Sequence, residues 1–191
     1  MSWNIVPSDA VIQKTKDALK ANGITTHIVS SAKVAKEKLF SLIPEGASVM
    51  DMTSVTLETI GIVKELHESS NYDPVRPKLY SMDRKTKGLE MNRLGAAPEW
   101  TIGSVHAVTQ DGKVLIASNT GSQLPAYAYG SPHVIWVVGA QKIVKNLDEG
   151  MRRIYEYVLP LENERAQKAY GMGSNVSKLL IINKERSWIN R

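Results

Sequence analysis

Three short polar runs carry most of the chemistry encoded in this chain, and each follows a stretch of strand-forming residues. The first, Asp51-Met52-Thr53-Ser54-Val55-Thr56, sets a carboxylate and three hydroxyls ahead of a helical pattern. Hydroxyls and free backbone N–H groups at a helix start form an anion or carboxylate site, to which the helix dipole adds about 0.3–1 kcal/mol per charge. Plain N-capping uses Thr53, Ser54 and Thr56 equally well, and is the commoner use of these residue types. The second run is Ser118-Asn119-Thr120-Gly121-Ser122-Gln123. Gly121 allows positive φ or a close backbone approach, and hydrogen-bonding side chains crowd one turn. The run matches neither a Walker A loop nor the dinucleotide fingerprint. Its residue types suit a simple turn and a ligand loop equally. The third, Gly139-Ala140-Gln141-Lys142, offers Gln141 and Lys142 to an anion, although most lysines are surface residues.

Two titratable side chains are the candidates for acid–base work. Asp51 is the best-placed carboxylate, at a strand end, with a cap or turn role as its alternative. His106 falls in an extended run, on the same face as Ser104 and Val108 by alternation. It suits a general base or a ligand contact, and equally a histidine hydrogen-bonded in place. His27, His67 and His133 share no ligand spacing, and no His/Asp/Glu cluster predicts a metal. Glu162, Glu164 and Arg165 read as pairs on a helix surface.

The elements that must hold these groups alternate. Helices are predicted from Asp9 to Asn22, from Ser31 to Ile43, from Thr53-Ser54 to about His67, from Asp83 to Leu94, in a short piece through Tyr127, and over Leu147 to Tyr157 and Leu161 to Tyr170. Strands are predicted over Thr26–Ser30, Ala47–Met52, Ser104–Thr109, Lys113–Ser118, His133–Val138 and Lys178–Asn183, with a short extended piece at Leu79–Met82 and a loop over Asn71–Lys78. Asp111-Gly112 joins two of the strands as a hairpin. Alternating strands and helices predict a single α/β domain spanning residues 1–191, in which a mostly parallel sheet carries one antiparallel hairpin. Ligands of such sheets sit beyond the carboxyl ends of the strands.

Composition narrows the function classes. The 191 residues are 42% hydrophobic and 23% charged, values ordinary for a globular chain. There is no cysteine, which excludes disulfides, thiolate nucleophiles and an iron–sulfur cluster ligated by Cys in this chain, and fits a cytoplasmic setting. The start of the chain lacks a basic, apolar leader pattern, and no stretch reaches the ~18 apolar residues of a membrane span. The net charge of +5 comes from lysines interleaved with acids, without aromatic-rich basic stripes, so neither nucleic acid nor membrane is the expected partner.

Several runs, in order, resemble a known family. Val108-Thr109-Gln110-Asp111-Gly112 is similar to the hairpin of the LUD domain, the fold of the lactate-utilization protein C group. Thr120-Gly121-Ser122 resembles its glycine turn, Val138-Gly139-Ala140-Gln141-Lys142-Ile143-Val144 its basic stretch, and Ser54-Val55-Thr56-Leu57 its helix start. Many members carry Asn where His106 stands. The resemblance implies a three-layer α/β/α fold like that of ribose-5-phosphate isomerase, glucosamine-6-phosphate deaminase and the CoA transferases. It implies a part in oxidising L-lactate to pyruvate beside iron–sulfur partner subunits, which would carry any cluster.

Three functions follow as expectations. The first is a protein that binds a small anionic metabolite of organic-acid utilization on the Thr53–Thr56, Asn119–Gln123 and Gln141-Lys142 loops. The second is a transferase or isomerase acting on a phosphorylated or CoA-linked substrate, with Asp51 or His106 as acid/base. The third is a structural partner subunit of an iron–sulfur oxidoreductase, anchored by aromatics such as Trp3, Tyr129 and Trp188. The cofactor is unspecified, and a homodimer is the base-rate expectation.

Overall fold

The protein is described here from a computed structural model, over residues 3–186; Trp188 lies outside the described residues. In chain order the helices and strands are α1 (Asp9–Ala21), α2 (Ala32–Leu42), β1 (Ser48–Asp51), α3 (Val55–Thr59), α4 (Ile62–Glu68), β2 (Asp73–Pro74), α5 (Val75–Ser81), α6 (Arg84–Ala96), β3 (Trp100–Gly103), β4 (Ala107–Thr109), β5 (Val114–Ser118), β6 (His133–Trp136), β7 (Ile143–Val144), α7 (Leu147–Arg153), α8 (Leu159–Tyr170) and β8 (Lys178–Ile182). π-helical turns fill Ala126–Gly130 and Ile154–Val158. The fold is α/β, as the alternation predicts. It gathers into two compact units. Among the described residues, one holds 3–28, 105–121 and 139–186, and the other holds 29–104 and 122–138.

The 29–104 and 122–138 unit is a four-stranded parallel sheet in the order β2-β1-β3-β6. Its core is local pattern made tertiary. Leu39 and Ile43 at the end of α2, Leu57 of α3, and Ile62 and Leu66 of α4 close over Val49 of β1 and Ile102 of β3. Ser31 caps α2 by accepting the Val34 N–H (3.3 Å), as its position predicts. The single helix predicted from Thr53 to His67 is instead α3 and α4, broken where Gly61 takes φ +74°. Leu79–Met82, predicted extended, lies mostly in α5: Val75 and Leu79 are one turn apart and both buried, so the segment has a helical face. Trp100–Gly103 is an inner strand that the sequence reading passed over, because four residues between a proline and a glycine carry little periodicity.

Gly103 has a packing reason. A methyl group there would collide with the Tyr127 hydroxyl. Tyr127 is itself buried and meets Trp136 edge-on at 5.6 Å. Gly103→Ala is expected to destabilise the protein by about 1–3 kcal/mol through overpacking. Tyr127→Phe in that background should recover part of the loss in urea denaturation, since it removes the colliding oxygen.

The other unit has a mixed sheet in the order β7-β4-β5-β8. The β4–β5 hairpin forms as its Asp-Gly turn predicts, with Gly112 at φ +81°. β8 pairs antiparallel with β5 along five residues, an addition to the sheet that periodicity does not specify. Ala107, Leu115, Ala117, Val144 and Ile154 make the core, with Leu147 and Met151 of α7 packed against it. The Asn22 side chain ties the end of α1 to the hairpin by donating to the carbonyls of Asp111 and Gly112, both at 3.0 Å. Thr26–Ser30, predicted as a strand, is irregular: no neighbouring strand takes up its backbone.

Candidate functional site

In the parallel sheet the order reverses between β1 and β3, so a crevice is expected beyond Asp51 and Gly103. Asp51 sits there, 1% exposed. One carboxylate oxygen meets His67 Nε2 (2.9 Å) and the other Arg76 Nε (2.9 Å). Arg76 also donates to the Asp51 carbonyl, to Thr53 Oγ1 (2.9 Å) and to Tyr80 Oη (3.0 Å). The guanidinium thus pins the β1 end to α5, and both oxygens of the carboxylate are engaged. Ser54 caps α3, its hydroxyl accepting the Leu57 N–H (3.4 Å). Thr56 stands in the first turn of that helix.

The mixed-sheet unit gathers a different set of groups. The chain is irregular over 104–106, so His106 precedes β4 and the strand alternation predicted for it does not apply. Its Nδ1 accepts the Ala117 N–H (3.0 Å). The neutral ring therefore carries its proton on Nε2, and that N–H has no partner among the described residues. Lys142 Nζ donates to the Val105 carbonyl (2.9 Å). Arg153, 3% exposed, donates through Nη1 to the His106 carbonyl and lies over the Tyr157 ring at 5.3 Å. Its Nε–H is buried without a hydrogen-bond partner, and it has no carboxylate partner among the described residues.

Burial comes first in lowering all three basic groups, and neighbouring cations add to it at His106 and Lys142. Burial, then the charges of Lys142 and Arg153, push His106 down to about 4, against an opposing pull from Glu162. Burial and Arg153 bring Lys142 down to about 8. Burial also lowers Arg153. The unfolded chain therefore takes up a proton at His106 near pH 6.5, whereas the native state resists until about pH 4. Stability contributed by the neutral ring is complete above pH 6.5 and is lost as pH falls toward 4. Between pH 7.5 and 5 the loss is about 2 kcal/mol from this group. His106→Asn should flatten that part of the pH dependence in denaturant titrations, and an unchanged profile would contradict the assignment.

The polar turn after β5 belongs partly to the same unit. Ser118 Oγ accepts the Gly121 N–H (2.9 Å), Gly121 takes φ +86°, and Asn119 Oδ1 accepts from the Ser177 hydroxyl (3.3 Å). Thr120 lies in this turn. Ser122 and Gln123 fall in the parallel-sheet unit, where the Gln123 carbonyl accepts the Tyr127 N–H (3.3 Å). The Gln141 side chain folds over Gly139, in the short 3-10 turn that carries Lys142. Of the predicted residues, His106, Asn119, Thr120, Gly121, Gln141 and Lys142 share one unit, and Asp51, Thr53, Ser54, Thr56, Ser122 and Gln123 the other.

The LUD domain family model matches residues 12–178. The chain belongs to the LUD domain family. A DUF162 family protein from Deinococcus radiodurans has a similar fold, with a TM-score of 0.52 at 12% identity over 92% of this chain and 88% of that one. No curated protein matches the chain. Membership associates this LUD domain with lactate utilization. No helix among its described residues is long and apolar enough to cross a membrane.

The sequence reading of this LUD domain missed Arg153, Arg76 and His67. A signal existed for Arg153. Arg152 and Arg153 follow Met151 and precede Ile154, so one of the two must border the apolar stripe of α7. Arg152 pairs with Glu156 at the surface (2.9 Å), and Arg153 turns inward. Nothing local marks Arg76 or His67, whose common partner lies 25 and 16 residues away.

Proposed function

We propose that this LUD domain binds a small organic anion of lactate metabolism at His106, Lys142 and Arg153, beside the Ser118–Gly121 turn. The observation that carries the reading is the buried Arg153 Nε–H without an acceptor, on a guanidinium whose Nη1 donates to the His106 carbonyl. A buried cation without a counter-charge is costly, and buried donors are normally satisfied. A carboxylate supplies both the charge and the acceptor oxygens. Lys142 adds a second positive charge at pH values below about 8. The surrounding burial strengthens each of these contacts relative to water.

Thermal denaturation with L-lactate, pyruvate and the uncharged lactamide tests the proposal. An anion at ~100 times its Kd adds about 2.7 kcal/mol, a rise in Tm of about 5–10 °C for a chain of this size. Lactamide should give none. Equal shifts with lactamide, or none with either acid, would overturn the assignment.

A further inference from the structure

The end of α1 carries the chain's one Asn-Gly pair, Asn22-Gly23. It packs against the one Asp-Gly pair, Asp111-Gly112, since Asn22 Nδ2 donates to the carbonyls of both turn residues at 3.0 Å. An asparagine before glycine is open to attack on its own side-chain amide, because glycine has no Cβ to shield the following peptide nitrogen. The fold restrains both partners of that attack. The Gly23 N–H donates to the Lys20 carbonyl (3.0 Å), and the Asn22 carbonyl accepts the Glu185 N–H (2.8 Å). Asn22 itself has φ −88° and ψ 10°. Closing a five-membered ring swings the Gly23 nitrogen toward the side-chain carbon, a rotation about ψ that breaks both of those bonds. Gly112 lets the hairpin come this close: a methyl group there would meet the Ala18 backbone at 2.6 Å and Asn22 Nδ2 at 2.7 Å.

We infer that Asn22 is a site of spontaneous deamidation, held closed by the hairpin and Glu185, whose conversion to aspartate or isoaspartate releases the end of α1 from the 111–112 turn. The Gly23 nitrogen gives its proton to solvent base and bonds to Asn22 Cγ. The Cγ–Nδ2 bond breaks, Nδ2 takes up a proton and leaves as ammonia, and a succinimide remains. Water then opens the ring at either carbonyl, giving aspartate or isoaspartate. Amide and water become acid and ammonia, with no change of oxidation state. The product reverses the contact. A donor to two carbonyl oxygens is replaced by a carboxylate, which has only acceptors to offer them. The new charge also stands at the C-terminal end of α1, where the helix dipole disfavours an anion. Reaction proceeds from molecules in which this corner has opened locally, so its rate reports that opening.

The test ages the full chain in mildly alkaline buffer, folded and in urea, and follows the gain of one mass unit by peptide mapping. The expected result is conversion at Asn22 in both, slower in the folded chain by about tenfold or more, the factor for an opening free energy of about 1.4 kcal/mol. Asn22→Gln should stop it, because the longer side chain closes its ring far more slowly. Asn22→Asp should lower Tm. In the aged parent, amide exchange over the end of α1 and the hairpin turn should be faster in converted than in unconverted molecules, a readout that holds even where Asn22→Asp does not fold. No conversion in urea would overturn the site, and equal rates in the folded and unfolded chain would overturn its closure by the fold. Parental Tm and parental exchange in the converted chain would overturn the release.

Discussion

Asp51→Ala is expected to destabilise the protein by about 3–5 kcal/mol, because it leaves the Arg76 guanidinium with no counter-charge in a poorly solvated place. The Arg76 side chain is only 12% exposed and the Asp51 side chain 2%. The variant also removes the acceptor of His67 Nε2. Arg76 keeps its bonds to the Asp51 carbonyl, Thr53 and Tyr80, so the damage comes from the unpaired charge more than from lost hydrogen bonds. The pairing Asp51→Ala with Arg76→Met should therefore recover more than half of the loss, since it removes the orphaned cation as well. Urea denaturation of the two single variants and the double variant measures this coupling. Asp51 was also a candidate acid or base. A catalytic carboxylate would lose turnover at near-parental stability. An Asp51→Ala chain within about 1 kcal/mol of the parent would therefore contradict the structural role argued here.

Arg153→Met has the opposite profile. It should weaken binding of a small carboxylate by about 2–5 kcal/mol, or at least about thirtyfold in Kd, because the charged donor meeting the ligand is gone. The unliganded protein should stay within about 1 kcal/mol of the parent. Loss of the bond to the His106 carbonyl is offset by removal of a buried cation with no ionic partner among the described residues. The methionine retains most of the side-chain volume against Tyr157. Calorimetric titration with pyruvate and unliganded denaturation measure the two effects separately. Parental affinity in a folded Arg153→Met chain would move the anion elsewhere. Strong destabilisation without loss of affinity would make Arg153 a packing residue.

The two variants separate residues that sequence reading treats alike. Asp51 and Lys142 were both visible as polar residues after strands, and their chemistry differs because of what folds against them. Asp51 meets a guanidinium and an imidazole, which engage both of its oxygens. Lys142 is desolvated by burial and faces a second cation, Arg153, and the two together lower its proton affinity.

Local physics carried a good part of the fold. The Asp111-Gly112 turn specified the hairpin because both positions tolerate positive φ, and Gly112 takes it. Ser31 and Ser54 were legible as caps because a hydroxyl one residue before a helix reaches an N–H three residues on. The sequence by itself determined the α/β class, the positions of most helices, and that polar groups collect after β1 and β5. It also carried the family, through several motifs in order. Only the tertiary structure decided the antiparallel place of β8 beside β5, the use of Trp100–Gly103 as an inner strand, and the partners of the charged groups. His106 meets Ala117 eleven residues away, and its carbonyl meets Arg153 forty-seven residues away. Periodicity reports which face of an element is apolar, over separations of two to four residues. Which buried cation goes without an anion is set by strand order and helix packing, where partners far apart in the chain are brought together and water is removed from between them.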